Sequence, residues 1–102
     1  MKTQQILQFK KSDHFLYSQW DRGLDDKMLY RLLPYVNDDT SNKRVAIFTP
    51  SFLKKLKVFK DDVSCLVMVV KNKLLVTAYW CDHPNYLFVN QEEKETRFQI
   101  LY

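Results

Sequence analysis

The sequence predicts an α+β domain: an N-terminal strand and two helices packed on one face of an antiparallel sheet of about four or five strands. Three observations carry that prediction. The clearest helical periodicity lies in the first third of the chain, where "SDHFLYSQWDRG" and "LDDKMLYRLLP" stand in sequence. Period-two and continuous apolar runs occupy the remainder, as in "RVAIF", "CLVMVV", "LLVTAYW" and "RFQIL". At 102 residues with 46% hydrophobic and 27% charged side chains, the chain suits one domain with one core, resting on fifteen aromatics and needing neither disulfide nor structural metal.

In chain order, "QILQF" (5–9) reads as a short first strand. Ser12 can cap the helix that follows, its hydroxyl accepting from an amide two or three residues on, with Asp13 favourable at the positive helix end. Phe15, Leu16, Gln19 and Trp20 fall at helical spacing on one face. Gly23, the chain's single glycine, stops the helix because glycine takes the left-handed conformation without steric cost. A second helix begins at Asp25. Leu24 is placed to pack on Leu29, and Met28, Leu29, Leu32 and Leu33 form its apolar stripe up to Pro34.

Past the polar loop 36–42 the pattern turns to strands. "RVAIFTP" is a strand ended by proline, whereas "SFLKKLKVF" fits one helical turn and a strand equally well. "VSCLVMVV" and "KLLVTAYWC" flank Lys71, Asn72 and Lys73 and predict a hairpin placed centrally in the sheet. Strict alternation along its second strand would put Leu75, Thr77, Tyr79 and Cys81 on one face, and Val76, Ala78 and Trp80 on the other. "TRFQILY" is a last strand.

The formal net charge of +4 is uneven. Residues 43–73 carry eight basic and two acidic groups, a local excess of +6, while the rest of the chain sums to −2. Such a segment attracts polyanions, so RNA is the partner it suggests, through Lys43, Arg44, Lys54, Lys55, Lys57, Lys71 and Lys73, with Trp80 for base stacking. A solvated lysine-rich face is the plainer alternative. The N-terminus lacks the apolar core of a signal peptide, and no run approaches the roughly 20 apolar residues of a membrane span, so a cytoplasmic protein without membrane attachment is expected. Cys65 and Cys81 sit in strand-like runs, where free thiols behave as small buried hydrophobes. Cys81 and His83 supply one pair of potential zinc ligands where such sites normally show two pairs, so neither metal nor other cofactor is expected, and "DHPN" reads as a turn.

Ser12-x-His14 at the end of the first strand, Arg22-Gly23-Leu24 before the second helix, and "LVTAY" in the later hairpin strand (75–79) together resemble the small DUF4258-type proteins. These look like members of the wider barnase, EndoU, colicin and RelE-like group of ribonuclease folds, many of them toxins. The resemblance covers Gln5 to about Tyr79. It implies a metal-independent endoribonuclease acting on the 2'-hydroxyl, with a cognate antitoxin or immunity protein as partner. On it, His14 matches the signature histidine, Arg22 and Gly23 the "R-G", and Thr77 and Tyr79 the "T-x-Y". One position departs: where the family tends to show an arginine one helical turn after the histidine, this chain has Ser18.

The chemistry suits those residue types. Histidine transfers protons near neutral pH, arginine's planar fork matches two phosphate oxygens, and an aromatic face stacks a base. The expected catalytic set is therefore His14 as base or acid, Arg22 or Arg44 on the phosphate, and Thr77 with Tyr79 orienting it. Each has an ordinary structural alternative: a solvated helix-start histidine, an arginine bonding helix-end carbonyls, and two residues of high strand propensity. The competing class is a non-catalytic protein-binding module on the same fold, which accounts equally well for Ser18. A homodimer formed by pairing of edge strands is a further expectation.

Overall fold

The computed structural model describes residues 9–37, 43–82 and 97–102. Its elements in order are β1 (Lys10–Lys11), α1 (Asp13–Arg22), α2 (Asp26–Leu32), a 3-10 turn (Leu33–Tyr35), β2 (Arg44–Phe48), α3 (Pro50–Lys55), β3 (Cys65–Lys71), β4 (Leu74–Cys81) and β5 (Arg97–Leu101). The fold is α+β, with the strands in one five-stranded sheet of order β1-β4-β3-β2-β5. It is mixed rather than wholly antiparallel. The central pairs β2–β3 and β3–β4 are antiparallel, and the flanking pairs β1–β4 and β2–β5 are parallel. β5 begins beside Arg44, at the end of the sheet away from where β4 stops, and that placement gives it the direction of β2. The first strand begins one residue beyond the "QILQF" segment; Phe9 precedes it as a buried core residue, and residues 5–8 lie outside the described residues.

Local chemistry sets the helix ends. Ser12 caps α1, its hydroxyl accepting from the Phe15 amide at 2.9 Å, and Asp25 caps α2 by accepting from the Met28 amide at 2.8 Å. Gly23 closes α1 with φ of 67°, and the Leu24 amide reaches back to the Gln19 carbonyl at 3.0 Å. The ambiguous "SFLKKLKVF" resolves as helix over 51–55, and the described residues that complete it form no strand. Thr49 caps α3 and also donates to the Leu101 carbonyl, so the same hydroxyl that starts the helix ties it to β5. Lys57 closes α3 as Gly23 closes α1, with φ of 58° and the Val58 amide bonded to the Leu53 carbonyl.

The main core fills the space between the helices and one sheet face. Phe15, Leu24, Leu29, Leu32, Leu33 and Leu53 come from the helical layer, and Ala46, Phe48, Leu66, Met68, Val70, Leu75 and Ala78 from the strands. The predicted Leu24–Leu29 packing lies within it. A second cluster, Val45, Ile47, Cys65 and Val67, occupies the opposite face, with Tyr79, Cys81, Phe98 and Ile100 packed against it.

One irregularity changes the reading of β4. Leu75 lies opposite Val70, but Thr77 lies opposite Val69, so Val76 has no residue across from it. Leu75 therefore joins Ala78 and Trp80 on the helix side, and Thr77 separates from it. Strict alternation fails at this single residue.

Candidate functional site

β1 covers only the first two residues of β4, and α1 runs along the rest in the same direction. Four contacts stitch this seam. The Ser12 amide donates to the Leu75 carbonyl at 3.0 Å, and the Ser12 hydroxyl to the Val76 carbonyl at 2.8 Å. The Ser18 and Thr77 hydroxyls lie 3.3 Å apart, and the Trp80 indole N–H donates to the Arg22 carbonyl at 3.1 Å. The Ser12 contact has particular weight, because it satisfies the carbonyl of the one residue the β-ladder leaves without an opposite partner.

Three of the residues expected to be catalytic lie along this seam, but not around one point. His14 is exposed, and its imidazole makes no hydrogen bond to a described residue; its backbone carbonyl accepts from the Ser18 hydroxyl at 2.9 Å. Arg22 stands two helical turns further on, a rise of about 12 Å. It is half-buried, with Nη1 enclosed and without a hydrogen-bond partner among the described residues. Thr77 is engaged by Ser18. Tyr79 lies opposite Val67 and packs against the second cluster, where burial, and secondarily the Cys81 thiol, raise its phenol above the ordinary value. Arg44 is buried on β2, two strands from β4 and so about 10 Å across the sheet. Ser18, the departure from the family pattern, is only 1% exposed and touches Thr77, so an arginine there would have to displace the seam.

The residues expected to bind RNA divide into two groups. Lys54, Lys55 and Lys57 lie on and just after α3, which follows the end of β2. Lys43, Arg44, Lys71 and Lys73 lie at the other end of the sheet, joined there by Lys10. The five-residue length of β2 separates the groups by about 16 Å. Lys54 pairs with Asp62 and lies 5.8 Å from the centre of the Phe59 ring. Trp80 is packed on the main core with its N–H committed to Arg22, which leaves it little face for a base.

A different surface stands out once α1 is placed. Phe15, Ser18 and, in part, Arg22 face inward, which turns Leu16, Tyr17 and Trp20 to solvent at 49%, 55% and 79% exposure. The Tyr17 and Trp20 rings are paired at 6.0 Å. Leu16 and Trp20, with Gln19, Leu24 and Asp25, line a groove of about 460 Å³ whose rim carries the Lys11–Asp26 ion pair. Asp26 also accepts from Gln19 at 2.9 Å, and the bonds from Lys11 and Gln19 lower its pKa. The signal was present in the sequence as the i, i+1, i+4 set Leu16, Tyr17, Trp20. Only the position of the helix on the sheet decides that this set points outward.

Among the described residues no group of three or more His, Cys, Asp or Glu side chains is arranged to hold a metal ion. His83, Pro84 and Asn85 of the "DHPN" segment lie outside the described residues. No described helix is long and apolar enough to cross a membrane. Comparison of the chain with protein-family models, with curated proteins and with solved structures finds no match.

Proposed function

We propose that the protein is a non-catalytic protein-binding module whose docking face is the outward side of α1. The observation that carries this reading is a tryptophan 79% exposed, paired with Tyr17 and flanked by Leu16, on a helix that buries a serine instead. Leaving Trp20 in water forgoes a large share of the burial this helix has to offer, and exposed aromatic clusters of this kind mark interaction sites. Asp13, Asp21 and Asp25 surround the patch. Its partner is therefore a protein segment with an apolar stripe and a basic rim, complementary to these carboxylates although the chain as a whole carries +4.

Trp20 also supplies the assay. Lys-flanked and Glu-flanked amphipathic peptides sharing one leucine stripe are titrated against the protein, with indole emission as the readout. The Lys-flanked peptide is expected to bind and blue-shift the emission, and the Glu-flanked peptide to bind at least tenfold more weakly. Trp20→Ala, which loses the reporting indole and is followed by the polarisation of a dye on the peptide, should weaken binding about thirtyfold, the roughly 2 kcal/mol of an aromatic anchor, with the melting temperature unchanged. Equal binding of both peptides, or of wild type and variant, overturns the reading. Sedimentation of the free protein reports whether a second copy occupies the face instead.

RNA cleavage is the second reading, favoured by one observation: the enclosed, unpartnered Nη1 of Arg22 on the same helix as His14. A buried guanidinium nitrogen without an acceptor is uncommon and suits a phosphate oxygen. In this reading RNA is the substrate and a cognate antitoxin or immunity protein the partner. Labelled RNA incubated with the protein in EDTA decides between the two. The module reading expects no cleavage above background; cleavage abolished by His14→Ala would replace it with the ribonuclease.

A further inference from the structure

The hairpin β3–β4 is joined by Asn72 and Lys73, both in the left-handed region at φ of 51° and 60°. Next to that turn Lys71 lies opposite Leu74 and Val70 opposite Leu75. Continued without interruption, this register would set Cys81 opposite Ser64. The extra residue at Val76 advances β4 by one position, and from there on Thr77 faces Val69, Tyr79 faces Val67 and Cys81 faces Cys65. Both cysteines are free thiols.

We infer that Cys65 and Cys81 form a reversible cross-strand disulfide, a redox modification site at the open end of the hairpin. Residues directly opposite in an antiparallel pair share a face, with Cα atoms about 4.5–5.5 Å apart. Disulfides span Cα separations of roughly 4.4–6.8 Å, so the backbone spacing of directly opposite residues lies within reach of the bond. The two thiols differ in access. Cys65 is buried in the second cluster, and Cys81 is half-buried at the end of its strand. Burial, with a smaller contribution from Cys81, pushes the Cys65 thiol up, so Cys65 is the slower of the two to react with a solvent oxidant.

A hydroperoxide serves as oxidant. The Cys81 thiolate attacks the peroxide oxygen, the O–O bond breaks, and Cys81 becomes a sulfenic acid as hydroxide takes up a proton. The Cys65 sulfur then attacks the Cys81 sulfur, its proton and the sulfenic hydroxyl leave as water, and the S–S bond forms. Two thiols and one hydrogen peroxide yield one disulfide and two waters, a two-electron oxidation reversed by a dithiol. The step is independent of the docking face on α1.

The full-length protein is treated with hydrogen peroxide under native conditions, quenched with an alkylating agent and mapped without reduction. The expected product is a monomer lacking two hydrogens, with the Cys65 and Cys81 peptides linked, a melting temperature several degrees higher, and complete reversal by dithiothreitol. Cys65→Ser and Cys81→Ser each remove the linked peptide. Cys65→Ser, holding the accessible thiol, is expected to trap Cys81 as the sulfenic acid, detected with a dimedone-type reagent. Recovery of both thiols in alkylated form from oxidised wild type overturns the inference. So does linkage only between chains, or oxidation of Cys81 past the sulfenic stage with Cys65 untouched.

Discussion

Gly23 and Lys57 occupy the same place in the same motif. Each follows the last turn of a helix in the left-handed region, at φ of 67° and 58°, and in each the next amide reaches back to a carbonyl five residues earlier. The conformation suits glycine and costs an L-residue about 1–2 kcal/mol. No atom lies within 4 Å of a Cβ built on Gly23, so Gly23→Ala tests backbone strain with no clash to confuse it. It is expected to destabilise by about 1 kcal/mol, and Lys57→Gly to stabilise by a similar amount, each read as a shift in urea midpoint at constant slope. Ser12 tests a different cost. Its hydroxyl accepts from the Phe15 amide and donates to the Val76 carbonyl, so Ser12→Ala loses a helix cap and leaves the unpaired strand residue without its acceptor bond. A loss of about 2 kcal/mol is expected, against about 0.5 kcal/mol or less for the exposed neighbour His14→Ala. Equal, small effects at the two positions would mean that neither the cap nor the bond to Val76 contributes.

At the scale of elements, the Ser12 cap, the glycine stop, the second helix and the hairpin turn were legible in the sequence because each rests on contacts within a few residues, and the last strand because its alternation suits a sheet. Three features were not, and each depends on partners far along the chain. The outward turn of Leu16, Tyr17 and Trp20 depends on α1 lying against β4, where Ser18 meets a hydroxyl 59 residues away. The parallel flanks of the sheet depend on which strand each end of the chain lies beside, which alternation does not encode. The one-residue shift at Val76 depends on Ser12 arriving to take its carbonyl. Of the candidate site, the sequence identified the seam residues His14, Arg22 and Thr77 but placed them around one phosphate. The structure spreads the first two along the helix and occupies the third with Ser18. The resemblance that supplied their roles predicted a residue set without its geometry, and the altered position lies at the contact between α1 and β4.

Across the whole molecule the charge forms separate regions. The excess of +6 in residues 43–73 is divided between the two ends of the sheet, while the helical face carries Asp13, Asp21, Asp25 and Asp26. No single basic stripe follows from the segment's composition, because β2 and β3 run the length of the sheet between one group of charges and the end at which α3 lies. Asp26 is the carboxylate that joins the N-terminal parts of the fold: it lies on α2 and accepts from Lys11 on β1 and Gln19 on α1. Those two bonds, the Lys11 one first, hold its pKa below the ordinary 3.8. A group whose folded pKa is depressed contributes stability that is fully present above the unfolded value and lost as pH falls through the folded one. Asp61 behaves in the same sense, because the Val63 and Ser64 amides hold its carboxylate ionised. The melting temperature is therefore expected to stay level from neutrality to about pH 5 and to fall below about pH 4, as is general for carboxylates bonded in the native state. Asp26→Asn, which keeps an acceptor for Gln19 but loses the ion pair, should melt below wild type at pH 7. The gap should then close as the solution is acidified past the folded pKa, since protonation removes the same charge from wild type. Two melting curves that fall in parallel down to strong acid would show that Asp26 acts through shape alone, and the tie between β1, α1 and α2 would not be electrostatic.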